Sequence, residues 1–300
     1  MSIFPTSILL ATDGSEVARL ASDAATNLVA STGSELLVVC VGPGLPLYEL
    51  PDYPARFEEV VAAQRHRAEM VLDEEVKRIE DAGATVKEAR LESDDKPERA
   101  IVRVGEELGV GLVVVGSRGL AGPKRALMGS VSASVVRHAH CPVLVVRDEP
   151  LAFPTRILLA TDGSRDARRA ADVALDLAAE LDSELHVTYV EPMPERHIGL
   201  ARLSTDLPPE VVASVEEDAR IKLEEQVGNI EEDGEVTRAH VRVGAPAAEI
   251  EALAQELEAG LLVVGSRGLG GIRRALMGSV SDSVVRHAHC PVMVVRSTKD

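Results

Sequence analysis

Two glycine-rich loops hold the residues best suited to chemistry. Gly116-Ser117-Arg118-Gly119 is followed by nine residues and then Gly129-Ser130; the arrangement returns as Gly265-Ser266-Arg267-Gly268, nine residues, then Gly278-Ser279. Such a loop suits a phosphate. Glycine lets main-chain N–H groups approach an anion with no side chain in the way. A helix opening at Gly129-Ser130 adds uncompensated N–H groups and the positive end of its dipole. That dipole contributes only about 0.3–1 kcal/mol per favourable charge, so several donors must converge. Arg118, Lys124 and Arg125 bring positive charge to the first loop, and Arg267, Arg273 and Arg274 to the second. A lone glycine pair would read as a tight turn between strand and helix. Two copies of the whole spacing, both opening helices, favour anion binding. No GxxxxGK[ST] occurs and no GxGxxG follows the first strand, so neither a Walker A loop nor a Rossmann fingerprint is present. Gly42-Pro43-Gly44 follows the second strand and reads as loop.

Other groups invite chemistry with less support. Asp13 in Thr12-Asp13-Gly14-Ser15, and Asp162 in Thr161-Asp162-Gly163-Ser164, could accept a phosphoryl group, but neither an acidic cluster nor a lysine after the last strand accompanies them. An Asp bonding its own turn backbone is the competing reading. Arg137-His138-Ala139-His140-Cys141 and Arg286-His287-Ala288-His289-Cys290 look like metal candidates. A His-x-His pair on a helix points to different faces, however, and no carboxylate completes a ligand set. No metal site is expected, nor any catalytic residue.

The elements that position these loops are themselves duplicated. Thr12, Gly116 and Cys141 each recur 149 residues later, and Gly116–Arg147 differs from Gly265–Arg296 at five of 32 positions. A period this long marks a doubled domain, since solenoid repeats run about 20–50 residues. Domains at 1–149 and 150–300 follow, with the boundary near Asp148–Pro154, a stretch with two prolines and two acids.

In the first copy, strand Ser7–Ala11 leads through Asp13-Gly14-Ser15, a turn with a helix N-cap. A helix follows with Val17, Leu20, Ala21, Ala24, Leu28 and Val29 on one face. Glu35–Val41 is an apolar strand, Gly42–Pro54 a loop, and 56–82 a charged helix whose outer face is solvated. Strand Val86–Leu91, helix Pro97–Leu108, strand Leu112–Gly116, a helix from Ser130 and strand Val143–Arg147 complete the copy. The second copy repeats the order, with its charged helix at 209–232. Five strands alternating with helices predict an α/β fold: two tandem, doubly wound, five-stranded parallel-sheet domains. Ligands bind such sheets beyond the carboxyl ends of the strands, where strand order reverses. The Asp-Gly-Ser turn, the loop after Val41 and the loop after Val115 all end there.

Composition narrows the partners. Hydrophobic residues make up 45% and aromatics 2%, with no Trp, so Val, Leu, Ile and Ala must build the cores. A net charge of −17 argues against nucleic acid and anionic membranes as partners. Cys40, Cys141 and Cys290 form no disulfide framework or zinc spacing, and reduced thiols fit a cytoplasmic setting. Pro5 interrupts the apolar N-terminus, which reads as a strand rather than a signal peptide. No run approaches the roughly 20 apolar residues of a membrane helix.

The Gly-x2-Gly-x9-Gly-Ser spacing, an Asp ending the first strand and Cys-Pro-Val before the last strand resemble the universal stress protein family, once per half. The resemblance implies the adenine nucleotide alpha hydrolase-like, Rossmann-like fold and ATP as ligand, with Mg2+ as an optional companion. It implies that Gly116, Gly119, Gly129 and Ser130 hold phosphates, with Gly265, Gly268, Gly278 and Ser279 as counterparts. Neighbouring Ser117, Arg118, Val131, Ser266, Arg267 and Val280 join them. Asp13 and Asp162 would meet the nucleoside, beside Ala11, Gly14, Ala160 and Gly163. Main chain at Val41 and Val190 would meet the adenine. The turn before the third helix departs from the family in the first copy: Ser93-Asp94-Asp95-Lys96-Pro97 reads as longer by two residues, and more acidic, than Val243-Gly244-Ala245-Pro246. Three functions compete: a nucleotide-dependent stress sensor or regulator, a slow ATP-hydrolysing or phosphotransfer enzyme, and a non-nucleotide interaction protein on the same fold. The resemblance also implies an intramolecular pairing of the halves through their last strands, and a possible homodimer.

Overall fold

The computed structural model describes residues 4, 6–43, 54–94, 96–119, 128–147, 154–192, 209–269 and 277–297. The chain divides into two compact units, Ile3–Ala152 and Phe153–Asp300 with Met1–Ser2. In the first, the elements are β1 (Ser7–Thr12), α1 (Glu16–Thr32), β2 (Glu35–Pro43), α2 (Pro54–Asp81), β3 (Val86–Asp94), α3 (Pro97–Glu107), β4 (Leu112–Gly116), α4 (Ser130–His138) and β5 (Val143–Val146). In the second they are β6 (Arg156–Ala160), α5 (Arg165–Leu181), β7 (Glu184–Pro192), α6 (Pro209–Glu231), β8 (Arg238–Gly244), α7 (Pro246–Glu256), β9 (Leu261–Gly265), α8 (Ser279–His287) and β10 (Val292–Val295).

Within each unit the strands are parallel, in the order β3-β2-β1-β4-β5 and β8-β7-β6-β9-β10. The chain moves outward from β1 to β3, then jumps back across β1 to β4. Right-handed crossovers then put α1 and α2 on one face and α3 and α4 on the other. The packing agrees, since α1 meets α2 and α3 meets α4. Ile8, Leu9, Leu10 and Leu112 are fully buried, as are Ile157, Leu158 and Leu159, because both faces of the central strands are covered. Cys40, Cys141 and Cys290 are free and buried. Burial, with the charge of Asp13 behind it, pushes the Cys40 thiol up to about 11, and burial pushes Cys141 up to about 12.

Three expectations change. The face of α1 turned to the core is Ala18, Ala21, Ala24, Ala25 and Leu28, whereas Val17, Leu20 and Val29 are only half-buried. Small residues let the helix sit close on the sheet, and a period of 3.6 fits either set. The turn before α3 is longer than its counterpart by one residue, not two, because Asp94 pairs with Pro43 as Gly244 pairs with Pro192, while Pro97 and Pro246 open α3 and α7. Strands β2 and β3 run to Pro43 and Asp94, past the expected Val41 and Leu91, because they pair in register to those ends. Residues 44–53 of the expected loop and 148–153 of the boundary lie outside the described residues.

A feature with no signal in the sequence joins β7 to β8. The rings of His186 and His240 stack, centroids 5.1 Å apart, with His186 Nδ1 2.9 Å from His240 Nε2. Burial, then the charges of His186, Arg238 and Arg242, depress His240 to about 4. An unfolded His240 takes its proton near its ordinary 6.5, whereas the folded one refuses it until about 4. Its contribution is therefore complete above pH 6.5 and shrinks as pH falls toward 4. Urea midpoints measured across that range should fall more steeply for the native chain than for His240→Asn. Parallel curves would contradict this.

Candidate functional site

Strand register brings the predicted residues to one edge. Thr12 aligns with Cys40 on β2, and Ala11 with Val115 on β4, so Asp13 lies beside Val41 and Gly116 at the carboxyl end of the sheet. In the second unit Ala160 aligns with Thr188 and Val264, which sets Asp162 beside Val190 and Gly265. This is the point where strand order reverses in each sheet.

The turn after the first strand is built by its own side chains. Asp13 Oδ1 accepts from Ser15 N at 3.0 Å, and Ser15 Oγ accepts from Ala18 N at 3.2 Å, capping α1. Asp162 and Ser164 repeat both bonds at 3.0 and 3.2 Å. Gly14 and Gly163 hold φ of 75° and 76°, a left-handed conformation that favours glycine. The competing reading of each Asp as a turn acceptor is thus correct for one carboxylate oxygen. The other oxygen faces the glycine loop. Asp162 Oδ2 accepts from Leu269 N at 2.9 Å. A Cβ on Gly119 would collide with Asp13 Oδ2, and one on Gly268 with Asp162 Oδ2.

The loop itself closes on the helix it opens. Gly129 N donates to Ser117 O at 2.7 Å and Gly278 N to Ser266 O at 2.8 Å. Ser132 Oγ bonds the carbonyls of Gly116 and Ser117, at 2.9 and 3.0 Å, and Ser281 Oγ that of Gly265 at 2.6 Å. These two serines were missed as site residues, although the repeated Gly-Ser-Val-Ser could have flagged them. Gly129 and Gly278 cap α4 and α8 without a side-chain hydrogen bond. The amides of Ser130 and Val131, and of Ser279 and Val280, have no intrahelical acceptor at that position. Ser130 and Ser279 are exposed. Lys124, Arg125, Arg273 and Arg274 lie outside the described residues.

Close packing fixes where the loop begins. A Cβ on Gly116 would stand 3.1 Å from the backbone of Val17 and Ala18; one on Gly265 would stand 2.8 Å from that of Asp166 and Ala167.

The second unit has a cavity of about 330 Å³ between α5 and α6, reaching Asp162, Gly163 and Leu269. A substitution between the copies lies in its wall. In the first unit Arg78 spans the two helices, with Nη1 2.5 Å from Asp23 Oδ1 and Nη2 3.1 Å from Arg19 O. Buried Ala68, Leu72 and Ile79 match Ala219, Leu223 and Ile230, 151 positions on, which places Asn229 where Arg78 stands. Asn229 is too short to cross and bonds Glu225 O at 2.8 Å.

The histidine pairs separate. His138 Nδ1 lies 2.7 Å from Ser134 O at the end of α4, while His140 Nδ1 lies 3.4 Å from Glu106. Among the described residues, no three His, Cys, Asp or Glu are grouped to hold a metal. Among them too, no helix is long and apolar enough to cross a membrane.

Fold and site define a doubled α/β protein with a glycine-rich, helix-opening loop at each switch point. The family model described as the universal stress protein family matches residues 6–147 and again 154–296. The chain belongs to that family. A universal stress protein of Mycobacterium tuberculosis, Rv2623, is 29% identical over 274 residues, covering 87% of this chain and 86% of that one. Another from that organism, Rv2005c, is 34% identical over 194 residues, and this match spans only 62% of either chain. The crystal structure of a universal stress protein from Archaeoglobus fulgidus superposes with a TM-score of 0.69 at 26% identity, covering 100% of this chain and 99% of that one.

The unequal clearances give a graded expectation. Gly265→Ala, blocked by backbone, should lose about 1–3 kcal/mol of unfolding free energy in a urea titration, and Gly116→Ala distinctly less. Equal losses would show that the strand-to-helix approach is not the constraint.

Proposed function

We propose that each of the two domains, residues 1–149 and 150–300, binds ATP, and that the chain acts as a cytoplasmic, nucleotide-dependent stress sensor or regulator. One observation carries the reading. In both halves a glycine-capped helix start, a loop closed onto it and the Asp ending the first strand converge at the switch point. The capping glycines, half-buried and with no side chain over the helix start, fit a phosphate chain. Gly116, Ser117, Arg118, Gly119, Gly129, Ser130 and Val131 would hold it in the first domain. Gly265, Ser266, Arg267, Gly268, Gly278, Ser279 and Val280 would do so in the second. Asp13 with Ala11 and Gly14, and Asp162 with Ala160 and Gly163, would border the nucleoside, and Val41 and Val190 the adenine. Mg2+ would accompany the phosphates.

Binding fits the geometry better than turnover. Asp13 and Asp162 spend a carboxylate oxygen on their own turns, which suits an acceptor that shapes the site rather than a base that abstracts a proton.

The capping glycines allow a clean test. Gly129 and Gly278 have φ of −76° and −75°, open to any residue, and their nearest Cβ contacts are 3.3 and 3.5 Å. Gly129→Glu and Gly278→Glu should therefore fold and place a carboxylate where phosphate would sit. Titration calorimetry should show one ATP site lost in each variant and both in the double variant. Unchanged stoichiometry in either single variant would overturn the assignment for that half.

A further inference from the structure

In the first unit an internal cation lies between α1 and α2. The guanidinium of Arg78, on α2, donates to Asp23 Oδ1 at 2.5 Å, to the carbonyl of Arg19 at 3.1 Å and to Glu75 Oε1 at 2.7 Å. Asp23 and Arg19 belong to α1, so one side chain ties the two helices together. The second unit keeps acceptors at these places and puts an amide where the cation stood. Asp172 corresponds to Asp23 and Arg168 to Arg19, each 149 positions on; Gln226 corresponds to Glu75 and Asn229 to Arg78, each 151 on. All four line the cavity of about 330 Å³ between α5 and α6. Asp172 spends one carboxylate oxygen on exposed Arg169, at 3.2 Å, and keeps the other. Gln226 Oε1 accepts from Thr161 Oγ1 at 2.8 Å and, as a carbonyl oxygen, has a second lone pair. Glu225 and Asp233 add carboxylates to the rim, the latter where the first unit has Ala82. The floor is apolar, with Ala171, Leu175 and Ile230 buried. Among the described residues Arg168 is the one cation in the wall, and its Nη1 donates to Gly163 O at 2.5 Å, beside Asp162.

We infer that this cavity binds a small guanidinium compound with a short aliphatic chain, a class that agmatine represents. The guanidinium takes the place that Arg78 fills in the first unit, its planar fork matched to Asp172 and the carbonyl of Arg168. The methylenes cover Leu175 and Ile230, as the stems of arginine side chains cover apolar surface. Size agrees, since small-molecule pockets begin at about 300 Å³. The rim selects against a carboxylate on the ligand, because Asp172, Glu225 and Asp233 repel one. Of the candidate nucleotide residues the cavity touches Asp162 and Gly163, but its body lies between the helices, and the inference does not rest on nucleotide binding.

Calorimetry of the full chain without nucleotide, with agmatine as the probe, tests the site. One agmatine per chain should bind, since Arg78 already fills the corresponding place in the first unit. Arginine, which adds a carboxylate, should bind about fivefold more weakly or worse, the scale of one partly screened charge contact. Asn229→Arg restores the first unit's cation and should abolish agmatine binding. Asp172→Asn keeps the side-chain shape and should weaken agmatine by about fivefold, because the contact is half-buried and partly screened. Asn229 is exposed and Asp172 half-buried, so both variants should keep the native fold, which urea midpoints check. A chain of net charge −17 also attracts cations loosely, and the variants separate that case. Agmatine held equally by the native chain, Asn229→Arg and Asp172→Asn would overturn the inference, as would no saturable binding at millimolar agmatine.

Discussion

The carboxylate that ends the first strand ties the rest of the site together. Asp162 accepts one bond from its own turn, at Ser164 N, and one from the far loop, at Leu269 N. One side chain thus fixes the start of α5 against the loop that leads to α8. Neither segment could hold its place through apolar burial, because both lie beyond the sheet's edge. Charge-assisted bonds of this kind contribute about 1.5–3 kcal/mol each, comparable to burying a leucine. Asp13 stands in the corresponding contact with Gly119, which must be glycine for the carboxylate to fit.

Several weak interactions then point the same way. Strand order places two loops side by side, glycines at Gly116 and Gly265 let α1 and α5 approach the strand ends, and Gly129 and Gly278 leave helix amides uncovered. No single amide or dipole would hold a phosphate in water, since each contributes only about 0.3–1 kcal/mol. Convergence is what the fold supplies. The duplication supplies it twice, and the copies then diverge around a common frame: Arg78 bridges α1 and α2 where Asn229 lines a cavity, and Asp166 bonds Ser266 from the position that Val17 holds in the first copy.

Much of this was legible in the sequence. The 149-residue period, the buried apolar strands and the glycine spacing announce themselves locally, and the fold class and family follow from them. What escaped depends on partners distant in the chain. A period of 3.6 could not choose between Val17 with Leu20 and Ala18 with Ala25 as the inner face of α1, because both sets recur correctly and only the sheet decides. Asp166 draws its bonds from Ser266, Ser297 and Arg267, 100 or more residues away, which no local pattern announces. The His186–His240 pair spans two strands that become neighbours only on folding. The turn at Ser93–Pro97 carries one extra residue rather than two, because β3 stays paired with β2 as far as Asp94 before the turn begins.

The central claim is that both loops take nucleotide. Equilibrium dialysis of the intact chain against radiolabelled ATP measures this without any substitution. The account predicts saturation at two ATP per chain. Saturation at one, or no retention of label at millimolar ATP, would contradict it.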